Sequence, residues 1–474
     1  MIALTLTEIA EAMRGSLVLP PGVSGDAVVS AEAQTDSREV RPGQIFFARR
    51  GESSDGHLFA DAASKAGAAL LVVERRLDTS VPLPQIVVAD ATDALGDLAR
   101  ASIHRLRERG RLAVVGITGS NGKTTTKNLV AEMARARSGE AAVVASEKSY
   151  NNEVGGPLTM LRAGEGTETL VVEMGASAEG EIARLTAMAR PDIGVVLTVG
   201  LAHAGVFGGI EATFRAKSEM VQSLGSGGVA VLNRDDPRVA KMAELTSARV
   251  RWFGLHPEAE VRASDIASSA EGTGFELYLP GDGARSVRFR VLGEHHVMNA
   301  LAAAAVGFEL GLGGDDIVAV LEHAVLAAPG RMQVLGGRDG VTVINDAYNA
   351  SPDSMSAAIR TLAQIAKPGG RTVAVLGAMG ELGDYSIEEH RRIGLQIVRL
   401  GISELVVVGS EARHLHISAI NEGSWDGESV FFESQDEAYE YLVDSIREND
   451  TVLVKASNAA GLQALGDRLG EAYA

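Results

Sequence analysis

The feature that most constrains the fold is a glycine-rich turn between an apolar strand and a helix. LAVVGIT predicts the strand, GITGSNGKTTTK (residues 116–127) contains the turn, and TTTKNLVAEMARA continues as a helix. This arrangement surrounds phosphates with backbone N–H groups and the positive end of a helix. We therefore expect the turn to bind ATP or GTP. The residues expected around the phosphates are Gly119, Ser120, Asn121, Gly122, Lys123, Thr124 and Thr125.

The spacing of the glycines in this turn is unusual. The common phosphate-binding loop has a glycine five residues before the glycine of Gly-Lys-Thr. Here that position is Ile117, and the glycine stands one residue earlier, at Gly116. Lys123 would neutralise phosphate oxygens and the Thr124 hydroxyl would bind magnesium, as in other loops of this kind. A turn without a ligand is the alternative, and Gly-Lys-Thr at a strand–helix junction argues against it.

Apolar strands alternate with helical segments along most of the chain. AVVAS, TLVVEMG, DIGVVLTVG and GGVAVLN follow the turn, and VTVIND, RTVAVLGAMG, ELVVVGS and DTVLVKAS form a second series. Continuous apolar strands between helices are typical of a parallel sheet covered on both faces. We expect an α/β protein of three domains, because 474 residues exceed what one core serves. The predicted domains are residues 1–89, 90–327 and 328–474, with the nucleotide loop in the middle one.

Charge and composition exclude several classes of function. The formal charge is −18 and no block of Lys and Arg occurs, so no nucleic-acid partner is expected. The chain has no cysteine, which excludes disulfides and thiolate metal sites. MIALTLTEIAEAMRG predicts a strand and a helix capped by Thr7, not a signal peptide. No apolar run approaches the ~20 residues that span a bilayer. We expect a cytoplasmic protein without stable membrane insertion.

Polar residues follow several predicted strands, where ligands bind in open α/β sheets. Glu173 ends TLVVE, and His203 lies just past DIGVVLTVG. An unpaired carboxylate is costly in a core, so Glu173 is a candidate magnesium ligand. A structural, hydrogen-bonded role is the alternative for both residues. Asp346 and Asn349 follow VTVI, a position that suits a ligand better than a core.

Lys217 occupies an unusual place in GIEATFRAKSEMVQSL. If this stretch is a helix, its apolar residues fall on one face by 3.6-residue spacing, and Lys217 lies in the middle of that face. A buried lysine loses its charge or finds a partner. The side chain therefore either reaches solvent from the edge of the core or serves a site as a neutral or chemically modified group.

GEHHVMNALAAAAV begins an Ala-rich helix with His295, His296 and Asn299 in its first turns. These polar residues either cap the helix or, for Asn299, hydrogen-bond a nucleotide base. LGAMGELGD carries glycines at 377, 380 and 383, which do not match the G-x-G-x-x-G fingerprint. A dinucleotide site is therefore not expected.

Together these motifs resemble the Mur ligase family, whose nucleotide loop has the early glycine of TG-x-NGKT. The resemblance covers essentially the whole chain, since NNEVGGP, EMGA, RAKSEM, NRDDP, GEHHVMN and PGR occur in the family's order. TDSREVRPGQIFFARRG and DGHLFADAASKAGA resemble its N-terminal, uridine-nucleotide-binding domain. The resemblance implies a central P-loop ATPase domain with a parallel sheet and a C-terminal Rossmann-like domain.

Within the family, DAYNASPDSM and LGAMGELGD resemble the members that add D-alanyl-D-alanine to UDP-N-acetylmuramoyl-tripeptide (UDP-MurNAc-tripeptide). In the implied reaction, ATP phosphorylates the terminal carboxylate of the tripeptide, and the dipeptide amine then displaces phosphate. The resemblance implies peptidoglycan precursor synthesis by a monomer. The alternatives are a member that adds the diamino acid, a P-loop kinase or ATPase, and a nucleotide sensor without turnover. Lys217 argues against a sensor, which needs no second metal site.

The resemblance also implies catalytic and metal-binding residues. Lys123, Glu173, His203 and Lys217 match catalytic positions of the family. Thr124 and Glu173 match the ligands of one magnesium ion. His203 and a carbamylated Lys217 match the ligands of a second. Carbamylation would turn the lysine into a carboxylate, which suits its apolar-face position.

Further positions match the nucleotide and substrate sites of the family. The nucleotide contacts implied are Asn299, Arg331 and Asp346. The substrate contacts implied are Ser37, Arg38, Asp55 and His57 on the UDP-sugar side, Asn151 and Asn152 facing the substrate and phosphates, and Asn349 and Ser351 near the dipeptide. Asn458 in VLVKASNAAGL departs from the family, where Arg tends to follow Lys-x-Ser, so no anion-binding role is assigned to it.

Overall fold

The strands of the chain form one main sheet for each of three domains. The computed structural model describes residues 1–51, 54–110, 112–147, 149–201, 205, 208–269, 271–324, 330–367, 369–422, 425 and 427–474. The predicted α/β class and the three domains are confirmed. The predicted boundary between residues 89 and 90 stays a prediction. The boundary between 327 and 328 lies outside the described residues.

The N-terminal domain is built on a small sheet. Its strands are β1 (Leu4–Thr5), β2 (Ser16–Val18), β3 (Val28–Val29), β4 (Ala33–Gln34), β5 (Ile45–Phe47), β6 (Leu70–Val73) and β7 (Gln85–Val87). Its helices are α1 (Leu6–Ala12), a 3₁₀-helix (Gly56–Phe59) and α2 (Ala60–Lys65). The main sheet has the order β2-β7-β6-β5-β4 with β2 antiparallel at the edge, and β1 pairs with β3 in a separate antiparallel ribbon.

Helix α1 is capped by Thr5 and not by Thr7, so the predicted cap was wrong. The Thr5 hydroxyl accepts from the Glu8 N–H at 3.1 Å, and the Glu8 carboxylate accepts from the Thr5 N–H at 2.8 Å. This reciprocal capping box satisfies two N–H groups that a helix start would otherwise leave unpaired. Thr7 lies inside the helix, where its hydroxyl donates to the Gly25 carbonyl at 3.1 Å.

The central domain contains a nine-stranded sheet. Its strands are β8 (Ala113–Thr118), β9 (Val143–Ala145), β10 (Thr169–Glu173), β11 (Ile193–Val196), β12 (Val229–Asn233), β13 (Arg249–Gly254), β14 (Val261–Ser269), β15 (Gly272–Tyr278) and β16 (Arg285–Phe289). The order is β16-β15-β14-β13-β12-β11-β8-β10-β9. Pairing is parallel from β9 to β14 and antiparallel at the edge formed by β15 and β16.

Helices cover both faces of the central sheet. They are α3 (Ala91–Glu108), α4 (Lys123–Ser138), α5 (Gly155–Leu161), α6 (Glu181–Ala189), α7 (Ile210–Gln222), α8 (Pro237–Lys241), α9 (Glu294–Glu309) and α10 (Gly314–His323), with 3₁₀-helices at Glu140–Ala142 and Met242–Leu245. α4 and α9 pack on one face, and α3, α5, α6 and α7 on the other. Burial on both faces explains why the strands read as continuous apolar runs.

The C-terminal domain has a six-stranded sheet. Its strands are β17 (Gln333–Leu335), β18 (Thr342–Asn345), β19 (Thr372–Leu376), β20 (Glu404–Val408), β21 (Glu428–Phe432) and β22 (Thr451–Lys455). Its helices are α11 (Pro352–Gln364), α12 (Ser386–Arg399), α13 (Arg413–Ile420), α14 (Gln435–Ser445) and α15 (Gln463–Ala472), with 3₁₀-helices at Arg338–Gly340, Gly383–Tyr385, Ser410–Ala412 and Asn458–Ala460. The order is β17-β18-β22-β19-β20-β21, parallel except for β17.

The order of the central strands brings the predicted site residues to one edge. β8 lies between β10 and β11, and all three are parallel. Their carboxyl ends therefore meet, and these place the nucleotide loop, Glu173 and the segment after β11 side by side. None of the helices in the described part of the chain has the length and apolar content needed to span a bilayer.

Candidate active site

A cavity of about 560 Å³ lies where the central and C-terminal domains meet. Most of the predicted site residues line it. They are Ser120, Asn121, Gly122, Lys123, Thr124, Thr125, Asn151, Glu173, Asn299, Arg331, Asp346, Asn349 and Ser351. The nucleotide loop and the polar residues after β18 therefore share one space, although they are far apart in sequence.

Glycine is required at the end of the nucleotide loop. Gly122 has φ +80°, a backbone conformation that side chains rarely adopt. A Cβ at this position would lie 2.2 Å from the Asn299 Oδ1. Gly122 is also the N-cap of α4, and no side chain of the loop hydrogen-bonds the cap. The first-turn N–H groups of α4 are thus left for a ligand, as an anion site at a helix start requires.

Glu173 is a buried carboxylate that is satisfied by two neighbours. It is 1% exposed at the end of β10. Its Oε2 accepts from the Thr124 hydroxyl at 2.8 Å, and its Oε1 accepts from the Asn151 amide at 2.9 Å. The carboxylate and the hydroxyl place two hard oxygen atoms next to each other, which is a suitable start of a magnesium site.

Two lysines of α4 lie close to this carboxylate. The Lys123 Nζ donates to the Gly119 carbonyl at 2.7 Å, so its side chain folds back over the loop. Lys127, one turn further along, is 4% exposed and donates to the Ser146 carbonyl at 2.6 Å. Desolvation lowers the pKa of both amines, and the Glu173 charge opposes that shift. Lys127 was not predicted, because the polar residues beside it in TTTKN form no apolar stripe that would mark it as buried.

The C-terminal domain reaches the nucleotide loop directly. The Arg331 Nη2 donates to the Thr124 hydroxyl at 3.2 Å and to the Ser149 hydroxyl at 3.3 Å. The Arg331 guanidinium lies 4.2 Å from the ring centre of Tyr348, whose hydroxyl donates to Ser149 at 3.0 Å. These contacts place a guanidinium cation beside the hydroxyl group that is predicted to bind magnesium. Ser149 and Tyr348 were not predicted as site residues. Ser149 lies in SYNNE, two residues before the predicted Asn151, and Tyr348 lies in DAYNA, directly before the predicted Asn349.

A buried ion pair of the C-terminal domain also lines the cavity. The Lys455 Nζ lies 2.5 Å from the Asp346 Oδ2 and donates to the Asn349 carbonyl at 3.1 Å. The Asp346 Oδ1 accepts from the Met332 N–H at 3.0 Å. Lys455 was not predicted as a site residue. The signal was available, because VLVK ends an apolar strand with a charge just as TLVVE does.

The polar residues at the start of α9 do not cap it. The N-cap is Gly293, which has no side chain to accept a hydrogen bond. The Asn299 amide instead contacts the Nδ1 of His296 at 3.1 Å and accepts from the Thr126 hydroxyl at 3.3 Å. Burial lowers the pKa of His295 to about 4 and that of His296 well below its usual value. Both imidazoles are therefore neutral near pH 7 and line the cavity without adding charge.

Lys217 lies beneath the site, not in the cavity wall. Its side chain is 2% exposed on the buried face of α7, so the predicted burial is confirmed. Burial lowers the pKa of its amine well below the ordinary value, and the Lys123 charge adds to this effect. His203, the other predicted ligand of a second metal, lies outside the described residues. Among the described residues, no group of three His, Cys, Asp or Glu side chains could hold a metal ion.

Five predicted residues lie apart from the cavity. Asp55 accepts from the His57 Nδ1 at 2.5 Å, and the His57 Nε2 accepts from the Glu74 N–H at 2.8 Å. His57 is 5% exposed, so it holds Asp55 in place inside the N-terminal domain. Arg38 is exposed and pairs with Asp36 at 2.6 Å, next to Ser37.

The fifth of these residues is Asn152, whose side chain hydrogen-bonds the backbone at the start of α5. Its Oδ1 accepts from the Val154 N–H at 3.2 Å and from the Gly155 N–H at 3.0 Å. These bonds fix the start of α5, and the side chain is exposed.

Gly119 is the one predicted loop residue outside the cavity wall. Its φ of +154° and a Cβ that would lie 2.8 Å from Leu197 require glycine there.

Three family models match the chain in the order of its domains. The Mur ligase family catalytic domain matches residues 32–103, the Mur ligase middle domain matches 117–307, and the Mur ligase glutamate ligase domain matches 330–458. Together they cover most of the chain and include the nucleotide loop, β10, α7 and the residues after β18.

Relatives of known name match nearly the whole length. The UDP-N-acetylmuramoyl-tripeptide–D-alanyl-D-alanine ligase of Mycobacterium leprae is 41% identical, over 99% of this chain and 98% of that protein. The crystal structure of MurF from Acinetobacter baumannii covers 99% of both chains, with a TM-score of 0.87 and 31% identity. MurF ligase from Thermotoga maritima in complex with ADP covers 94% of this chain and 98% of that one, with a TM-score of 0.80 and 28% identity. The chain belongs to the Mur ligase family.

Proposed function

We propose that this chain is an amide ligase that joins D-alanyl-D-alanine to UDP-MurNAc-tripeptide. ATP is converted to ADP and phosphate, and the product, UDP-MurNAc-pentapeptide, is a precursor of peptidoglycan. The observation that carries the proposal is the shared cavity, in which Arg331 of the C-terminal domain donates to Thr124 of the nucleotide loop. Relatives that match nearly the whole chain bear the name of this ligase.

The chemistry explains why two domains must supply the site. A carboxylate is a poor electrophile, and phosphorylation turns one of its oxygens into a leaving group. The γ-phosphate and the carboxylate are both anions, so positive charge must offset their repulsion in a space that excludes water. Lys123 supplies such a charge from the loop, and Arg331 supplies another from the C-terminal domain. The dipeptide amine then attacks the acyl phosphate, and phosphate leaves.

The oxygen donors of the site fit a magnesium ion. The Thr124 hydroxyl and the Glu173 carboxylate are adjacent, buried and made of the hard oxygen atoms that magnesium prefers. Magnesium held by these residues would neutralise charge on the phosphates during transfer. Asn151 holds the second oxygen of Glu173 and so keeps the carboxylate turned toward the loop.

A second magnesium site would depend on modification of Lys217. An ammonium group repels a cation, whereas a carbamate presents carboxylate oxygens. Burial lowers the pKa of Lys217 and so favours the neutral amine, which is the form that reacts with carbon dioxide. Carbamylated Lys217 and His203 are therefore the proposed ligands of the second ion.

Substrate contacts are proposed on both sides of the cavity. Asn299, Arg331 and Asp346 would contact the nucleotide, and Asn349 and Ser351 the dipeptide. The remaining proposed contacts are Asn151 and Asn152 near the tripeptide, and Ser37, Arg38 and Asp55, held by His57, on the UDP-sugar side. We further propose that the enzyme acts as a monomer in the cytoplasm.

The function is tested by phosphate release from ATP in the presence of UDP-MurNAc-tripeptide, with and without D-alanyl-D-alanine. We expect release that requires the dipeptide, and a product with the mass of UDP-MurNAc-pentapeptide. Release that is indifferent to both substrates would indicate an ATPase. A phosphorylated product would indicate a kinase, and either result would contradict the proposal.

Gly122→Ala is expected to weaken nucleotide binding by about 100-fold or more, because its methyl group would displace Asn299 from the loop. Gly180→Ala is the matched control. Gly180 is the N-cap of α6 at φ +93°, in the same left-handed region as Gly122, and a Cβ there would meet nothing within 4 Å. Both variants lose about 1–2 kcal/mol of folding free energy for a side chain at positive φ. Calorimetric titration with a non-hydrolysable ATP analogue separates the two, and equal affinities would contradict this account of the loop.

Lys217→Ala is expected to lower the rate of dipeptide-dependent phosphate release by about 100-fold or more, since the carbamate that is proposed to hold the second magnesium ion is lost. Added bicarbonate should not restore the rate, because alanine has no amine to carbamylate. Lys241→Ala, at an exposed lysine of α8, is the control. Carbon-13 NMR in labelled bicarbonate should show a carbamate in the wild type and in Lys241→Ala only. A fully active Lys217→Ala enzyme would refute the carbamate.

A further inference from the structure

The segment that follows β11 is held by side chains from separate parts of the chain. We call residues 199–201 the post-β11 segment. The Val199 N–H donates to the Asp236 Oδ2 at 2.8 Å, and Asp236 belongs to the loop after β12. The Gly200 N–H donates to the Ser120 hydroxyl at 2.8 Å, and Ser120 belongs to the nucleotide loop. Two successive amides thus connect this segment to the central domain at two points.

The C-terminal domain approaches the same segment with a carboxylate. Asp353, in the first turn of α11, faces the Leu201 N–H, and this backbone amide lowers the pKa of its carboxyl group. A Cβ on Gly200 would lie 2.2 Å from the Asp353 Oδ2, so the carboxylate packs directly against the backbone of the segment. Only glycine at position 200 leaves room for this approach.

Asp353 is desolvated at this contact. Burial raises the pKa of its carboxyl group, and the charge of Arg392 opposes the shift. Glu389 and Asp236 are the acidic groups that face it and raise the pKa further. An acceptor taken out of water in this way must be hydrogen-bonded in the docked arrangement, because an unsatisfied buried group is costly.

Two further contacts follow the same interface. The Ser351 hydroxyl, two residues before Asp353, donates to the Asn121 Oδ1 in the nucleotide loop at 2.9 Å. The Gly205 N–H donates to the Glu381 carbonyl at 3.1 Å. The start of α11 therefore touches both the nucleotide loop and the post-β11 segment, and the loop that contains Glu381 meets the chain a few residues later.

We propose that Asp353 is a positioning residue that docks the C-terminal domain onto the post-β11 segment. Because Ser120 binds the same segment, this segment fixes the position of the C-terminal domain relative to the nucleotide loop. This docking brings Arg331 within 3.2 Å of the Thr124 hydroxyl and Ser351 within 2.9 Å of the Asn121 Oδ1. This inference deepens the proposed function and rests on it.

An acidic residue in the first turn of a helix also has a simple structural role, since it interacts favourably with the helix dipole. Asp436 is the matched control for that role. It is the second residue of α14, a helix that starts with a serine capping box as α11 does, and it pairs with Arg468 on the surface. Asp353 and Asp436 share the helix position, and only Asp353 contacts another domain.

The test compares the full-length wild type with Asp353→Ala, Asp353→Asn and Asp436→Ala. The rate of hydrogen exchange in the peptide covering residues 199–201, measured without substrates, reports whether the contact forms. The kcat measured with UDP-MurNAc-tripeptide, ATP and D-alanyl-D-alanine reports whether the reaction depends on the contact. For Asp353→Ala we expect faster exchange at this peptide and a kcat lower by about 10- to 100-fold, as for the loss of one hydrogen bond to a charged group. The affinity for an ATP analogue should fall by less than kcat does, because the nucleotide loop itself lies in the central domain and only Arg331 and Asp346 are proposed to reach the nucleotide from the C-terminal domain.

Asp353→Asn keeps an oxygen acceptor and is expected to restore both exchange protection and kcat to near the wild-type values. Asp436→Ala should match the wild type. The proposal is overturned if Asp353→Ala exchanges like Asp436→Ala, or if Asp353→Asn is as impaired as Asp353→Ala. If the melting temperature of Asp353→Ala is far below that of Asp436→Ala, Asp353→Asn alone is compared with the wild type. Near wild-type exchange and kcat then support the proposal, and impaired exchange protection and kcat overturn it. A wild type without dipeptide-dependent phosphate release would refute the proposed function, and the exchange data would still test the docking contact.

Discussion

The site depends on how one buried carboxylate is satisfied. Glu173 ends a strand in the middle of a sheet that is covered on both faces, and it is almost completely removed from water. A charge in that position needs hydrogen-bond donors or cations around it. Thr124 and Asn151 supply the donors, and Lys123 and Lys127 lie close enough to influence its field. The nucleotide loop and the carboxylate that is proposed to bind magnesium are thus parts of one electrostatic arrangement.

The C-terminal domain completes that arrangement across a domain boundary. Arg331 brings a guanidinium to the hydroxyl of Thr124, and Tyr348 and Ser149 hold it there. The Asp346–Lys455 pair is nearly buried in the wall that the C-terminal domain contributes, and Lys455 also donates to the Asn349 carbonyl in the loop after β18. The positive charge that would act on the transferred phosphoryl group is therefore in position before the substrates bind, as electrostatic catalysis requires.

Much of this site could be predicted from local patterns. The nucleotide loop follows from glycines, a lysine and a threonine at a strand–helix junction, and Glu173 follows from a carboxylate at the end of an apolar strand. Lys217 was found because its burial is encoded in helical spacing. These signals lie within a single element, where strand alternation and helix periodicity determine which side chains point inward.

What could not be predicted depends on partners that are distant in sequence. Tyr348 bonds a serine 199 residues away, and nothing local to either residue indicates the contact. Lys127 looks like any exposed lysine of a helix until the neighbouring strand covers it. The antiparallel strands β15 and β16 were not predicted either, because no strand was assigned between GGVAVLN and VTVIND. The cap of α1 was misplaced by two residues, because the capping-box pattern Thr-x-x-Glu that begins at Thr5 was not considered.

The most direct test of the central claim, that the paired domains activate a carboxylate by phosphoryl transfer, uses oxygen-18. The terminal carboxylate of UDP-MurNAc-tripeptide is labelled, and the reaction is run to completion with unlabelled ATP and D-alanyl-D-alanine. Mass spectrometry of the released phosphate should show one oxygen-18 atom from the substrate, because that oxygen becomes part of the leaving group. Phosphate free of the label, or label found in AMP, would contradict the account.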